Sequence, residues 1–188
     1  ILLLEKAGEE SRFLFGFEES YGYLAGTYVR DKDAVVTSML ICEMAAYYKS
    51  IGSSILQQLA AIYKKFGRYL HKVDSFEFDG LSGMDNMKRI MSNLRADPLA
   101  KIADYAVVKT ADYETHVIQE LATGAQTTID LPAADVLTYW LSNGACVIVR
   151  PSGTEPKIKI YYSTKGADLA EAEAVQKQLS AAMQPLLG

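Results

Sequence analysis

The sequence is poor in cysteine and histidine and has no long apolar run, and each scarcity removes a class of protein. Its two cysteines, Cys42 and Cys146, sit in separate apolar stretches. They read as free buried thiols in a reducing compartment, the cytoplasm, and not as a disulfide framework. His71 and His116 are isolated from each other and from both cysteines, so zinc has no ligands at usable spacing. No apolar stretch approaches the roughly 20 residues of a membrane span. Ile1-Leu2-Leu3-Leu4 is too short for a signal sequence and lacks its basic start and cleavage pattern. The chain begins at Ile, not Met, which predicts a piece of a longer protein. Basic charge is also in deficit. The net charge is −4, whereas nucleic acid and membrane surfaces call for a basic face. No G-x-S-x-G elbow and no G-x-x-x-x-G-K-[ST] loop occurs, which removes a common hydrolase and the P-loop nucleotide binders. Asp31-Lys32-Asp33 mimics a fragment of a calcium loop without its further oxygen ligands, so no metal is assigned to it.

What is present suits a packed soluble fold. Of 188 residues, 49% are apolar and 22% charged, enough for one large domain or one and a part. Phe13–Phe17 reads as a buried strand. Ala34 to Tyr48 is apolar on nearly all sides and reads as a buried helix with Asp33 as its N-cap. Ser54 and Gln57 form a capping box for an amphipathic helix to Phe66, with Gly67 as its stop. Residues 67–80 change character and read as the passage into a second domain, bounded by Asp79-Gly80. A Met-rich helix follows from Ser82 towards Pro98, and the Met stripe is core filler. Tyr105–Lys109 reads as a strand, and 111–133 as a long loop or irregular strands. A hairpin turns at Ser142-Asn143-Gly144, a strand spans Ile158–Ser163, and a helix runs from Asp168 to Met183. The second part is thus a two-layer α/β sandwich.

One stretch concentrates chemistry. Arg150-Pro151-Ser152-Gly153-Thr154-Glu155-Pro156-Lys157 hangs between the apolar strand Ala145–Val149 and the alternating run Ile158–Tyr162. Arg pairs two phosphate oxygens with one planar fork. Ser152 and Thr154 add hydroxyls, Gly153 lets amides converge on an anion, and the prolines limit the entropy lost on ordering. The same residues also suit an ordinary tight turn in which Glu155 neutralises the cations internally.

A second stretch, Glu18-Glu19-Ser20-Tyr21-Gly22-Tyr23, follows the first predicted strand. A carboxylate accepts from two vicinal hydroxyls and a Ser can donate or accept, which suits a sugar. Ligands also gather at the C-terminal ends of strands in α/β sheets. A solvated turn is the alternative.

Gly16-Phe17-Glu18-Glu19-Ser20-Tyr21-Gly22 and the Arg150–Lys157 stretch, in this order, resemble the α-D-phosphohexomutases, the superfamily of phosphoglucomutases and phosphomannomutases. Tyr28–Ala34 resembles the segment after the sugar loop in phosphoglucomutases and phosphopentomutases. The resemblance implies a four-domain enzyme. Residues 1–67 would be the C-terminal part of its third α/β domain, and 68–188 its fourth, TATA-binding-protein-like domain. It implies sugar binding by Glu18 and Ser20, and phosphate binding by Arg150, Ser152, Gly153, Thr154 and Lys157. Lys32 matches a lysine near the reacting sugar in some phosphoglucomutases. The implied reaction interconverts sugar 1-phosphate and 6-phosphate through a bisphosphate, with Mg²⁺ bound elsewhere in the full-length enzyme. Ser20-Tyr21-Gly22 departs from the Ser-Gly-His of many bacterial phosphomannomutases, which favours glucose or a pentose over mannose. The family's Ser-His-Asn-Pro and Asp-x-Asp-x-Asp loops are absent from this sequence, so the piece alone is expected to be inactive. A non-catalytic phospholigand module is the other reading. Phosphosugar and the upstream domains are the expected partners, and no nucleic acid or membrane is.

Overall fold

The structure, a computed structural model, describes residues 1–18, 21–78 and 82–187. Glu19, Ser20 and the Asp79-Gly80 boundary therefore lie outside the described residues. The chain separates into two compact units, Ile1–Ile62 and Tyr63–Gly188.

In the first unit, α1 (Leu2–Lys6) precedes two short strands, β1 (Phe15–Phe17) and β2 (Tyr23–Ala25). They pair antiparallel, with Phe17 opposite Tyr23. Next comes α2 (Ala34–Ser50). The Asp33 carboxylate caps it by accepting from the Val35 and Val36 amides at 2.8 and 3.2 Å. At the start of α3 (Ile55–Phe66), Ser54 Oγ accepts from the Gln57 amide at 3.2 Å. Only half of the expected capping box forms, because the Gln57 side chain accepts from Ser53 Oγ instead. Gly67 ends α3 at φ 91°, a value that costs other residues strain.

Three expectations are corrected in this unit. Phe13–Phe17 is not a buried strand, since β1 has one neighbour and both Phe15 and Phe17 are exposed. No residue of α2 is buried, and Cys42 is an exposed thiol. Within the unit α2 packs chiefly on β2, which covers one side of a helix that is apolar on all of them. An all-round apolar pattern reports a surface that needs cover; it does not report that the cover is there.

In the second unit, β3 (Arg68–Glu77) leads to α4 (Gly83–Ala96). There follow β4 (Lys101–Ile102), β5 (Tyr105–Asp112), β6 (Val117–Glu120), β7 (Gln126–Thr128), β8 (Leu137–Leu141), β9 (Cys146–Pro151), β10 (Lys157–Gly166) and α5 (Leu169–Met183). The sheet has the order β3-β10-β9-β8-β5-β6-β7, with β4 added to β5. Every pairing among these strands is antiparallel. Residues 111–133 thus take the irregular-strand alternative in β6 and β7.

Alternation along β10 separates the faces. Ile158, Ile160, Tyr162 and Thr164 are at most 1% exposed, while Lys157, Lys159, Tyr161 and Ser163 are half-buried on the other side. The inner face packs under Met87, Ile90, Met91 and Leu94 of α4 and Leu179 and Met183 of α5. Each fully buried Ile or Leu contributes about 1.5–3 kcal/mol relative to exposure. Asp168 caps α5 through the Glu171 amide at 2.9 Å, and Thr164 Oγ1 ties that helix to β10 by donating to the Ala172 carbonyl at 2.9 Å. The result is a mixed α/β, two-layer arrangement, with the β9–β10 turn at one end of the sheet's buried strands. Among the described residues, no helix is long and apolar enough to cross a membrane.

Candidate functional site

The turn of the second unit is built by strand register. Ile158 pairs with Pro151 and Lys159 with Arg150, so the ends of β9 and β10 fix the turn from both sides. The Ser152 amide donates to the Lys157 carbonyl at 2.8 Å and closes it. Inside, Ser152 Oγ accepts from the Thr154 and Glu155 amides at 3.4 and 3.3 Å. The Thr154 and Glu155 amides are thus spent within the turn, and the Ser152 hydroxyl that accepts from them keeps its own O–H to donate to an anion.

A recess of about 350 Å³ opens at the turn, lined by Arg150, Ser152, Gly153, Thr154 and Lys157. The structure thus brings together all five residues read from the motif. It adds Lys159 and Tyr161, which sequence reasoning left out. Alternation with Ile158 and Ile160 puts both on one face of β10, and the register then sets Lys159 beside Arg150. Lys157 is ion-paired with Glu155. The hydrogen bond between them holds the Glu155 carboxyl below the usual carboxylate range and the Lys157 ammonium above its own. Among the described residues, Arg150 and Lys159 have no ion pair of their own. Two cations directly opposite on neighbouring strands repel each other, and a bound dianion reverses the sign of that interaction. Gly153 does not have a left-handed φ, and a Cβ there would meet nothing. Its freedom is not what shapes the turn.

The loop of the first unit is held differently. The Glu18 amide donates to the Gly22 carbonyl at 2.8 Å, and the Asp33 amide to the Tyr23 carbonyl at 2.8 Å. The Lys32 ammonium lies 2.7 Å from Asp31 Oδ1 and 3.3 Å from Glu18 Oε1. Hydrogen bonds from Asp31 first, then Glu18, push the Lys32 ammonium up. It stays a cation at neutral pH, fit to donate to an oxygen and unfit to act as a base. The Lys32 stem crosses Gly22 so closely that a Cβ there would lie 2.5 Å from Lys32 Cγ. Tyr28 donates to Asp33 at 2.5 Å, and Arg30 pairs with Glu5. Glu18 and Lys32 share a recess of about 720 Å³ with Gly16, Asp31 and Arg30. Ser20 lies outside the described residues.

Among the described residues, no group of three or more His, Cys, Asp or Glu is placed to hold an ion. The residues present do not fit Mg²⁺. Cys146 is no nucleophile either, because burial pushes its thiol up to about 11 against the opposing pull of Lys109.

Comparison with known proteins gives the two units a common origin. Residues 2–66 match the family described as phosphoglucomutase/phosphomannomutase, alpha/beta/alpha domain III. Residues 87–182 match the C-terminal domain of the same family. A phosphoglucomutase of Staphylococcus epidermidis (strain ATCC 35984) is 36% identical over 154 residues, 82% of this chain and 28% of the relative. One from Staphylococcus aureus (strain MRSA252) is 35% identical over 165 residues, 88% of this chain and 30% of the relative. The open form of the exocytosis-sensitive phosphoprotein pp63/parafusin from Paramecium superposes with a TM-score of 0.59 at 17% identity. That superposition covers 96% of this chain and 32% of the other and speaks for the fold alone. The chain spans under a third of the length of these relatives. With both units matched in order, the chain belongs to the phosphoglucomutase/phosphomannomutase family.

Proposed function

We propose that this chain supplies two substrate-holding loops of a phosphohexomutase that interconverts sugar 1-phosphate and 6-phosphate through a bisphosphate. Residues 1–67 are the C-terminal part of its third domain and 68–188 its fourth. Arg150, Ser152, Gly153, Thr154 and Lys157 hold the phosphate that is not being transferred. Glu18 and Ser20 hold ring hydroxyls, and Lys32 donates to a sugar oxygen nearby. The observation that carries this reading is the side-by-side placement of Arg150 and Lys159 at the mouth of the turn, two cations with no ion pair among the described residues, on a chain of net charge −4.

A mutase that passes through a bisphosphate must accept its substrate in two poses. An anchor that reads only a phosphate serves both, because the group is alike at either end of the sugar. The phosphoryl donor and Mg²⁺ belong to other segments of the parent protein, which acts in the cytoplasm, so the 188-residue chain has no mutase activity of its own.

The test is calorimetric titration of the chain with glucose 1-phosphate. Saturable binding is expected, with Arg150→Ala weakening it by about 1.5–3 kcal/mol, the scale for hydrogen bonds to a charged group, and by about 2–4 kcal/mol in the full-length enzyme, where the site is enclosed. Equal affinity of the variant and the parent sequence would remove the assignment. Mannose 1-phosphate and ribose 1-phosphate, run alongside, separate the glucose reading from phosphomannomutase and phosphopentomutase readings.

A further inference from the structure

The phosphate-holding turn has a back as well as a mouth, and its back is closed by a residue outside the motif. The first residue of α4 is Gly83, which is buried. A Cβ there would lie 2.5 Å from the Phe78 carbonyl oxygen and 2.8 Å from Pro156 Cβ. Phe78 is itself fastened to the turn, since its amide donates to the Pro156 carbonyl at 2.8 Å. It also packs against the main core. The end of β3, the start of α4 and Pro156 thus meet with no room for a methyl group. At the tip the situation is the opposite, because a Cβ on Gly153 would meet nothing. The glycine that is sterically required is the one the motif does not contain.

Carbon approaching a carbonyl oxygen at 2.5 Å forces a displacement approaching an ångström. Phe78 is held by the core, so the side free to yield is the turn. Pro156 passes the shift on: the Pro156–Lys157 link continues into the Lys157 carbonyl, which accepts from the Ser152 amide. Ser152 Oγ in turn holds the Thr154 and Glu155 amides.

We infer that Gly83 is a positioning residue for the Arg150–Lys157 turn. By lacking a side chain it lets the β3–α4 junction press on Pro156, and so holds the Ser152 and Thr154 hydroxyls at the spacing a phosphate group needs. This inference rests on the phosphate-holding role proposed above.

Gly83→Ala in the 188-residue chain tests it, with glucose 1-phosphate as the titrant at a temperature well below the variant's Tm. A misplacement of this size costs on the order of tenfold to a hundredfold in affinity. The ligand-free amide resonances of Ser152 to Lys157 are expected to move as well. Leu94→Ala, a core change three turns further along the same helix, lowers Tm without moving those resonances or the affinity. Should Gly83→Ala fail to fold, Pro156→Gly removes the Pro156 Cβ from the same contact and is expected to weaken binding when titrated well below its own Tm, which the added chain freedom lowers modestly. Wild-type affinity and unshifted resonances in the variant that folds would overturn the inference while leaving the phosphate role intact. No binding by the parent sequence would overturn that role, and the inference with it.

Discussion

The two ligand-facing loops rest on unequal supports. The β9–β10 turn leaves strands whose inner residues, among them Val147, Val149, Ile158 and Ile160, are fully buried. The Glu18 loop joins two three-residue strands with no buried residue between them. Charge follows support. Lys32 is neutralised twice, by Asp31 and Glu18, whereas Arg150 and Lys159 stand opposite each other with no ion pair among the described residues. A register locked by alternating burial can hold like charges together, because slipping by one residue would turn every inner side chain outwards. The weakly supported loop has no such restraint, and its charges settle against one another.

The largest test of this contrast is a core deletion in each unit. Ile160→Ala is expected to cost about 2–5 kcal/mol, because nothing can collapse into the space beneath two helices. Leu24→Ala, in a half-buried strand of the first unit, should cost under about 1 kcal/mol. Trp140 is the only tryptophan and sits in β8, so its fluorescence during urea unfolding reports the second unit alone. Far-ultraviolet circular dichroism follows the helices of both units, and if Leu24→Ala shifted its first-unit transition as far as Ile160→Ala shifts the Trp140 transition, the units would not be unequal.

Ion pairs divide the same way. Arg95, at the end of α4, holds Asp112 through two hydrogen bonds of 3.0 and 3.3 Å and also pairs with Glu114 and Asp135. Burial alone would raise the Asp112 carboxyl, but hydrogen bonds from Arg95 and the Glu114 amide outweigh it and hold the group below its usual value. A carboxyl depressed on folding stabilises above its unfolded pKa of about 3.9, and the contribution is lost as pH falls through the folded value. Acid unfolding below about pH 4 should therefore steepen through Asp112, and Asp112→Asn should flatten that limb while lowering stability at neutral pH. Glu5→Gln, which breaks the exposed pair with Arg30, should leave the limb unchanged. Acid titrations followed at Trp140 decide it.

What the sequence made legible is what depends on neighbours along the chain. The Asp33 cap, the helix that follows Asp168, the turn at Ser142–Gly144 and the alternation after Pro156 all appear where local chemistry puts them. What it hid depends on distant strands. β3 pairs along its whole length with β10, far away in sequence, and that pairing brings Phe78 to Pro156. Lys159 shares a face with Arg150 only through register, and Gly83 gains its importance only once Phe78 and Pro156 surround it. Cys42 and α2 were misread for the complementary reason. Apolarity of one helix carries no information on how much of it the rest of the chain covers.

The smallest expected effect is also the one that asks whether the unpaired cations store repulsion. Lys159→Ala removes one of two like charges directly opposite each other, so without ligand the variant should be unchanged or more stable by about 0.2–1 kcal/mol. Lys32→Ala removes a cation that two carboxylates hold, and its stability should move slightly in the other direction. Inorganic phosphate reverses the order. A ligand that binds only the folded state raises stability by about 2.7 kcal/mol at a hundred times its Kd. The parent sequence and Lys32→Ala should both gain Tm as phosphate is added, and Lys159→Ala should gain much less. Loss of stability in phosphate-free Lys159→Ala would mean that the lysine is held by attraction within the fold, and the unequal treatment of charge in the two loops would then have another cause.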